Sequence, residues 1–241
     1  MTEVGEVSEL GDGLREVELV WDEVADRGCY PFAIPALRNL GVLPVGPGVT
    51  FLSGENGSGK STLVEAVAIA AGLNPEGGSR HLAYSQRPTE SDLHRHLVLR
   101  WARRPRTAYF LRAETLFNTA TAYEGVETGG LHDRSHGQQV IEVATKLLHP
   151  GGFFVMDEPE SALSVPGQLK LLTRMHDLVA TGGQFLIATH SPVLLAFPGA
   201  RIYQLDDDGV AAVAYEDTQP YQLTRSFLDS PERFFRHLFG P

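Results

Sequence analysis

Short apolar blocks alternate along the chain with stretches in which apolar residues recur every three or four positions, the pattern of an α/β protein. Thr50-Phe51-Leu52-Ser53 is a short predicted strand after a Pro/Gly turn at 44–48, and Phe153-Phe154-Val155-Met156 and Phe185-Leu186-Ile187-Ala188 are short, fully apolar runs. Central strands of a parallel sheet, covered on both sides, read this way. Helical spacing appears over 61–71 (Leu63, Val64, Val67, Ala68, Ala71), over 138–148 (Val140, Ile141, Ala144, Leu147, Leu148) and over 168–180. Gly72 and Asn74-Pro75 stop the first of these, and Gly182-Gly183 stops the third.

Turn chemistry adds two hairpins and an end. Residues 96–103 and 107–113 are β-rich runs joined by Arg104-Pro105-Arg106, which predicts a hairpin, and Asp206-Asp207-Asp208-Gly209 predicts another between 202–205 and 210–215. A last helix is expected from Ser230-Pro231-Glu232, with Ser230 as N-cap. No repeat, low-complexity tract or coiled-coil heptad interrupts the pattern. The expectation is one domain over 1–241, with a variable lobe at roughly 80–135 that carries the arginine-rich hairpin.

Composition narrows the class. The 241 residues are 42% hydrophobic and 21% charged, which is ordinary globular usage. The single cysteine, Cys29, excludes an internal disulfide framework and a cysteine-rich zinc cage. No apolar run is long enough for a bilayer, and Glu3, Glu6, Glu9 and Asp12 give the N-terminus the wrong sign for a signal peptide, so a cytoplasmic protein is expected. The net charge of -10 argues against a chain that coats nucleic acid. Between Arg80 and Arg112, however, eight arginines face only Glu90 and Asp92. Two readings of this segment (95–112 above all) stand: arginines solvated or paired with the acidic remainder, or a contact for nucleic-acid phosphates or a protein partner.

Gly54-Glu55-Asn56-Gly57-Ser58-Gly59-Lys60-Ser61 fits the spacing of a phosphate-binding loop between a predicted strand and a predicted helix, with Thr62 following. Glycines let backbone N–H groups turn toward phosphate, and the helix N-terminus adds its dipole. Lys60 is the candidate for the β- and γ-phosphates, and the Ser61 hydroxyl for Mg²⁺. Downstream, the strand at 153–156 runs into Asp157 and Glu158, an acid placed for a metal and an acid placed to polarise water. Ser135-His136-Gly137-Gln138, 22 residues before Asp157, is either a helix cap or a second anion site, which would need a second nucleotide. Gln86, 26 residues after Lys60, is either a surface-turn residue or a metal-sensing glutamine. Tyr30 and Phe32 either stack on a base or pack. Glu160 is expected to be a surface acid.

These segments, in this order, resemble the ATP-binding-cassette (ABC) ATPases. Ser135-His136-Gly137-Gln138 is similar to the family signature, with His136 where glycine is usual. Asp157 through Ser164 resembles the Walker B segment and D-loop, with Ser164 where aspartate is usual. Ala188-Thr189-His190-Ser191-Pro192 resembles the switch-histidine loop. Together with the loop at 54–61 and the lead-in at 30–40, they resemble soluble stand-alone ATPases near the SMC, RecF and OLD heads. The resemblance implies a P-loop NTPase of ABC type, with a mostly parallel central sheet, an antiparallel β portion and a small helical lobe. It implies Mg²⁺-dependent ATP hydrolysis in an ATP-sandwiched homodimer. Glu158, His190 and Lys60 would be catalytic, Ser61, Asp157 and Gln86 would hold the metal, and Ser135, Gly137 and Gln138 would act on the partner's nucleotide. Two alternatives remain: an ATP-driven binding switch, and an ATP-binding subunit of a transporter.

Overall fold

A computed structural model describes residues 13–79, 91–113, 115 and 136–240. The apolar blocks form the centre of a seven-stranded sheet. It consists of β3 (Val49–Gly54), β4 (Gly78–Ser79), β6 (Ala108–Arg112), β7 (Phe153–Asp157), β8 (Gln184–Ala188), β9 (Arg201–Asp206) and β10 (Gly209–Val213), in the order β10-β9-β3-β8-β7-β6-β4. The five strands from β9 to β6 are parallel, and each edge carries an antiparallel neighbour.

Alternate side chains of these strands enter two cores, as the period-2 pleat requires. Leu52, Phe153, Val155 and Leu186 face α2 (Lys60–Ala70) and a second sheet, while Phe51, Phe154, Met156 and Phe185 face α3 (His136–Lys146) and α4 (Val165–Ala180). The second sheet has the order β2-β1-β5, made of β1 (Gly13–Leu19), β2 (Val42–Pro44) and β5 (Leu97–Arg103), and it is antiparallel. Sequence patterning did not anticipate β1 or β2. Among the described residues no helix is long and apolar enough to cross a membrane.

Several local expectations are corrected. The runs flanking Arg104-Pro105-Arg106 form no hairpin: β5 pairs with β1 in the small sheet, whereas β6 lies parallel to β7 in the large one. Leu97, Leu99 and Trp101 do point into the core as their alternation predicts, and core packing pulls the two strands into different layers. Helix α3 begins two residues earlier than the apolar spacing suggested. The Asp206–Gly209 turn closes the β9–β10 hairpin as expected. Two helices, α6 (Gln219–Asp229) and α7 (Pro231–Phe239), end the described chain where one was expected, and the Ser230 side chain makes no capping bond. A capping hydroxyl comes instead from Ser164, whose Oγ accepts from Gly167 N at 3.4 Å at the start of α4.

Candidate functional site

In an open parallel sheet, ligands meet the carboxyl ends of the strands. The register places Asp157 beside Ala188 and Arg112 beside Asp157, so the residues that follow β3, β6, β7 and β8 converge on one edge. Gly54, at the end of β3, has φ 151°, and a Cβ there would strike the Leu205 carbonyl and lie 2.7 Å from Ser58 Oγ. Gly59 caps α2 with φ 97°, and its Cβ would lie 2.9 Å from Ile34 Cγ2. Only glycine fits both the dihedrals and the space, which is the physical reason for the spacing. A cleft of about 520 Å³ opens on this loop and is lined by Lys60, Ser61, Thr62, Arg112, Asp157 and Glu158 among others.

Lys60 is 3% exposed, and its Nζ donates to Gly54 O at 2.8 Å and Glu55 O at 2.7 Å. Burial lowers its pKa from the ordinary lysine value, against the opposing pull of Glu158, Asp157, Glu160 and Glu55. Asp157 is pushed up to about 6 by burial, although the Ser61 hydroxyl bond and Arg112 both favour its charge. The Asp157 Oδ1, Ser53 Oγ and Ser58 Oγ atoms are buried without a hydrogen bond. A buried carboxylate oxygen and hydroxyls left unbonded around a phosphate-type loop suit a hard divalent ion and phosphate oxygens.

Glu158 has φ 44° and ψ 54°, the one non-glycine residue with positive φ among the described residues. Its N–H donates to Ala188 O at 2.9 Å and its carbonyl accepts from Ser161 N at 3.0 Å, so β8 and the turn that follows Glu158 hold it in this costly conformation. The carboxylate thereby faces the cleft, with Oε1 3.6 Å from His190 Nδ1. Glu160 is the residue misread from the sequence. It is buried at 7% exposure, and its Oε1 accepts from Thr189 Oγ1 at 2.6 Å and from His190 N at 2.9 Å. The acid is drawn inward because the 159–162 turn packs under the 189–191 loop, where two donors need an acceptor. Ser191 Oγ donates to Gln168 Oε1 at 2.6 Å, anchoring the other end of that loop. A carboxylate three residues beyond the strand-terminal Asp157, with a Thr-His pair further along the chain, was the only sequence signal.

Of the remaining candidates, Asn56, Gly57 and Ser61 line the same cleft. Ser135 and Gln86 lie outside the described residues. Gly137 and Gln138 sit at the start of α3 in a separate groove of about 930 Å³, and no residue of 54–62 lines it. Phe32 is a packing residue, edge-on to Trp21 and His96, whereas Tyr30 is exposed at the cleft with its hydroxyl 3.4 Å from Thr62 Oγ1.

A family model described as an AAA domain matches residues 33–98. The cytochrome c biogenesis ATP-binding export protein CcmA of Sodalis glossinidius is 30% identical over 163 residues, covering 59% of this chain and 75% of that one. The chain belongs to the ABC-type ATPases. An uncharacterized ABC transporter ATP-binding protein of Haemophilus influenzae is 26% identical over 223 residues, covering 78% of this chain and 81% of the relative. The fold is similar to that of a chain from a solved structure of a metal-chelate type ABC transporter, at TM-score 0.50 and 15% identity over 85% of each chain. ATP binding and hydrolysis are therefore the activity of this ABC-type ATPase.

Among the described residues, several arginines of the arginine-rich segment are committed within the fold. Arg100 pairs with Glu18 and Glu16, Arg95 with Asp92, and Arg104 donates to Ala71 O at 2.7 Å while lying over the Trp101 ring. These contacts favour internal pairing over a phosphate surface.

The raised pKa of Asp157 has a stability consequence for the ATPase in its nucleotide-free form. Between the ordinary value of 3.8 and about 6 the folded chain holds a proton that the unfolded chain has lost. Stability therefore falls as pH rises through that window and stays reduced above it. Asp157→Asn removes the buried charge, so at pH 7.5 the nucleotide-free variant is expected to melt a few degrees higher than wild type. At pH 4 that gain should vanish, and a gain that persists at pH 4 would assign it to something other than the charge.

Proposed function

We propose that two copies of this ABC-type ATPase enclose ATP with Mg²⁺, each supplying the phosphate loop for one nucleotide and the 135–138 segment for the other. The observation that carries this reading is the separation of the two grooves, which leaves Gly137 and Gln138 with no nucleotide loop of their own chain beside them. In each cleft Lys60 and the loop N–H groups would hold the phosphates, while Ser61 and Asp157 would hold the metal, with Gln86 as a further candidate. Such a metal would supply charge neutralisation at the phosphates. Glu158 accepts a proton from the attacking water, and His190, anchored through Glu160, meets the terminal phosphate.

His190→Ala is expected to slow hydrolysis by about 10–100-fold with ATP affinity within twofold of wild type, because the lost contact forms with the transferred phosphoryl group. Glu160→Ala should slow turnover in the wild-type background yet add little to His190→Ala. Additive losses would mean that Glu160 does not act through the histidine.

A second reading has support from the relatives' names, an ABC transporter ATP-binding protein and an ATP-binding export protein. In that reading the chain is the ATP-driven subunit of an assembly whose membrane part is a separate polypeptide. Both readings use the same cleft. They differ in whether turnover responds to a membrane partner or to a soluble one.

A further inference from the structure

Arg112 reaches the nucleotide cleft from the carboxyl end of β6, and nothing read from the sequence gave it a role there. Its Nη1 donates to Glu65 Oε2 at 2.7 Å, while its Nε lies 3.7 Å from Asp157 Oδ2, too far for a hydrogen bond. The Nε is buried without a hydrogen-bond partner, and so is Asp157 Oδ1. An unmatched donor and an unmatched acceptor thus share one cleft with Lys60 and Ser61. Glu65 stands one turn beyond Ser61 on α2, so the guanidinium is tethered to the helix that follows the phosphate loop.

A divalent ion at Asp157 would satisfy the carboxylate and repel the guanidinium beside it. The anion that would arrive with that ion is the phosphate chain, whose charge the metal would help to neutralise. A planar guanidinium with one unused N–H edge suits a phosphate oxygen better than an ammonium does.

We propose that Arg112 is a phosphate-contacting residue that reads the terminal phosphate. Glu65 holds it beside Asp157, and its Nε edge would meet the γ-phosphate of a bound metal–ATP complex. The inference rests on the assignment of this cleft as the ATP site.

Calorimetric titration with Mg²⁺ and either ADP or the non-hydrolysable triphosphate AMPPNP tests it. Arg112→Gln is expected to weaken AMPPNP binding about 10-fold or more while ADP binding changes less than about twofold, as a charge-assisted hydrogen bond to the third phosphate implies. Arg112→Lys should fall between, because it keeps the charge and loses the fork. Should Arg112→Gln melt below the assay temperature, the lysine variant carries the test, with the same selective loss expected. Glu65→Gln should have no further effect in the Arg112→Gln background. Equal losses for both nucleotides, or no loss for either, would overturn the role. Lys60→Ala is the control: if it binds both nucleotides like wild type, the cleft is not the ATP site and that assignment fails first.

Discussion

Glu158→Gln is expected to lower ATP turnover by at least about 100-fold while nucleotide affinity stays near wild type. The amide has nearly the volume of the carboxylate, and the backbone bonds to Ala188 and Ser161 that hold residue 158 at φ 44° do not involve the side chain. The geometry of the turn should therefore survive. What disappears is a basic oxygen able to take a proton from water, together with one negative charge in a cleft that must receive ATP. Size exclusion with ATP and Mg²⁺ should show the variant shifted toward dimer, since the trapped nucleotide is not consumed. Wild-type turnover in this variant would remove Glu158 from the mechanism.

Lys60→Ala should reduce affinity for ATP by about 100-fold or more and bring hydrolysis to background, because a buried ammonium is lost from a loop that otherwise offers neutral donors. In the empty protein it also removes the two bonds to Gly54 and Glu55 that tie the loop closed. Mixing this variant with one impaired only at the 135–138 segment tests the two-chain site. One hybrid cleft then combines an intact phosphate loop with an intact partner segment, so part of the activity should return. Ser135→Arg is the partner to choose. A Cβ at Gly137 would lie 2.6 Å from Ala162 O, so Gly137→Glu would disturb the turn after Glu158 in its own chain and confuse the result. No recovery in the mixture, with both variants folded, would exclude the shared site.

The central sheet was legible because strands buried on both faces must be apolar throughout, and Phe51, Phe154 and Phe185 announce themselves in any window. The phosphate loop was legible for a different reason: its glycines are fixed by backbone geometry that no other residue satisfies. Strand β1 was not, since Arg15, Glu16 and Glu18 break its apolar run and its partners lie far along the chain. The false hairpin at 104–106 shows the same limit, because a turn-like tripeptide cannot reveal which sheet each flanking strand joins. Glu160 and Arg112 were missed or misplaced because local sequence carries charge but not burial. Only the parallel register shows that Arg112 abuts Asp157.

Burial disfavours the charge on both Lys60 and Asp157 in this cleft, lowering the lysine value and raising the carboxylate value, so the folded chain carries a cost there that a bound metal–nucleotide complex would offset. A ligand that binds the folded chain alone adds RT ln(1 + [L]/Kd) to its stability, about 2.7 kcal/mol at one hundred times Kd. Differences of that size change how often a protein opens to proteases and how much of it accumulates. The abundance of this chain in a cell would accordingly follow the fraction of it that holds nucleotide, so that occupancy of the cleft would set the lifetime of the protein as well as its turnover.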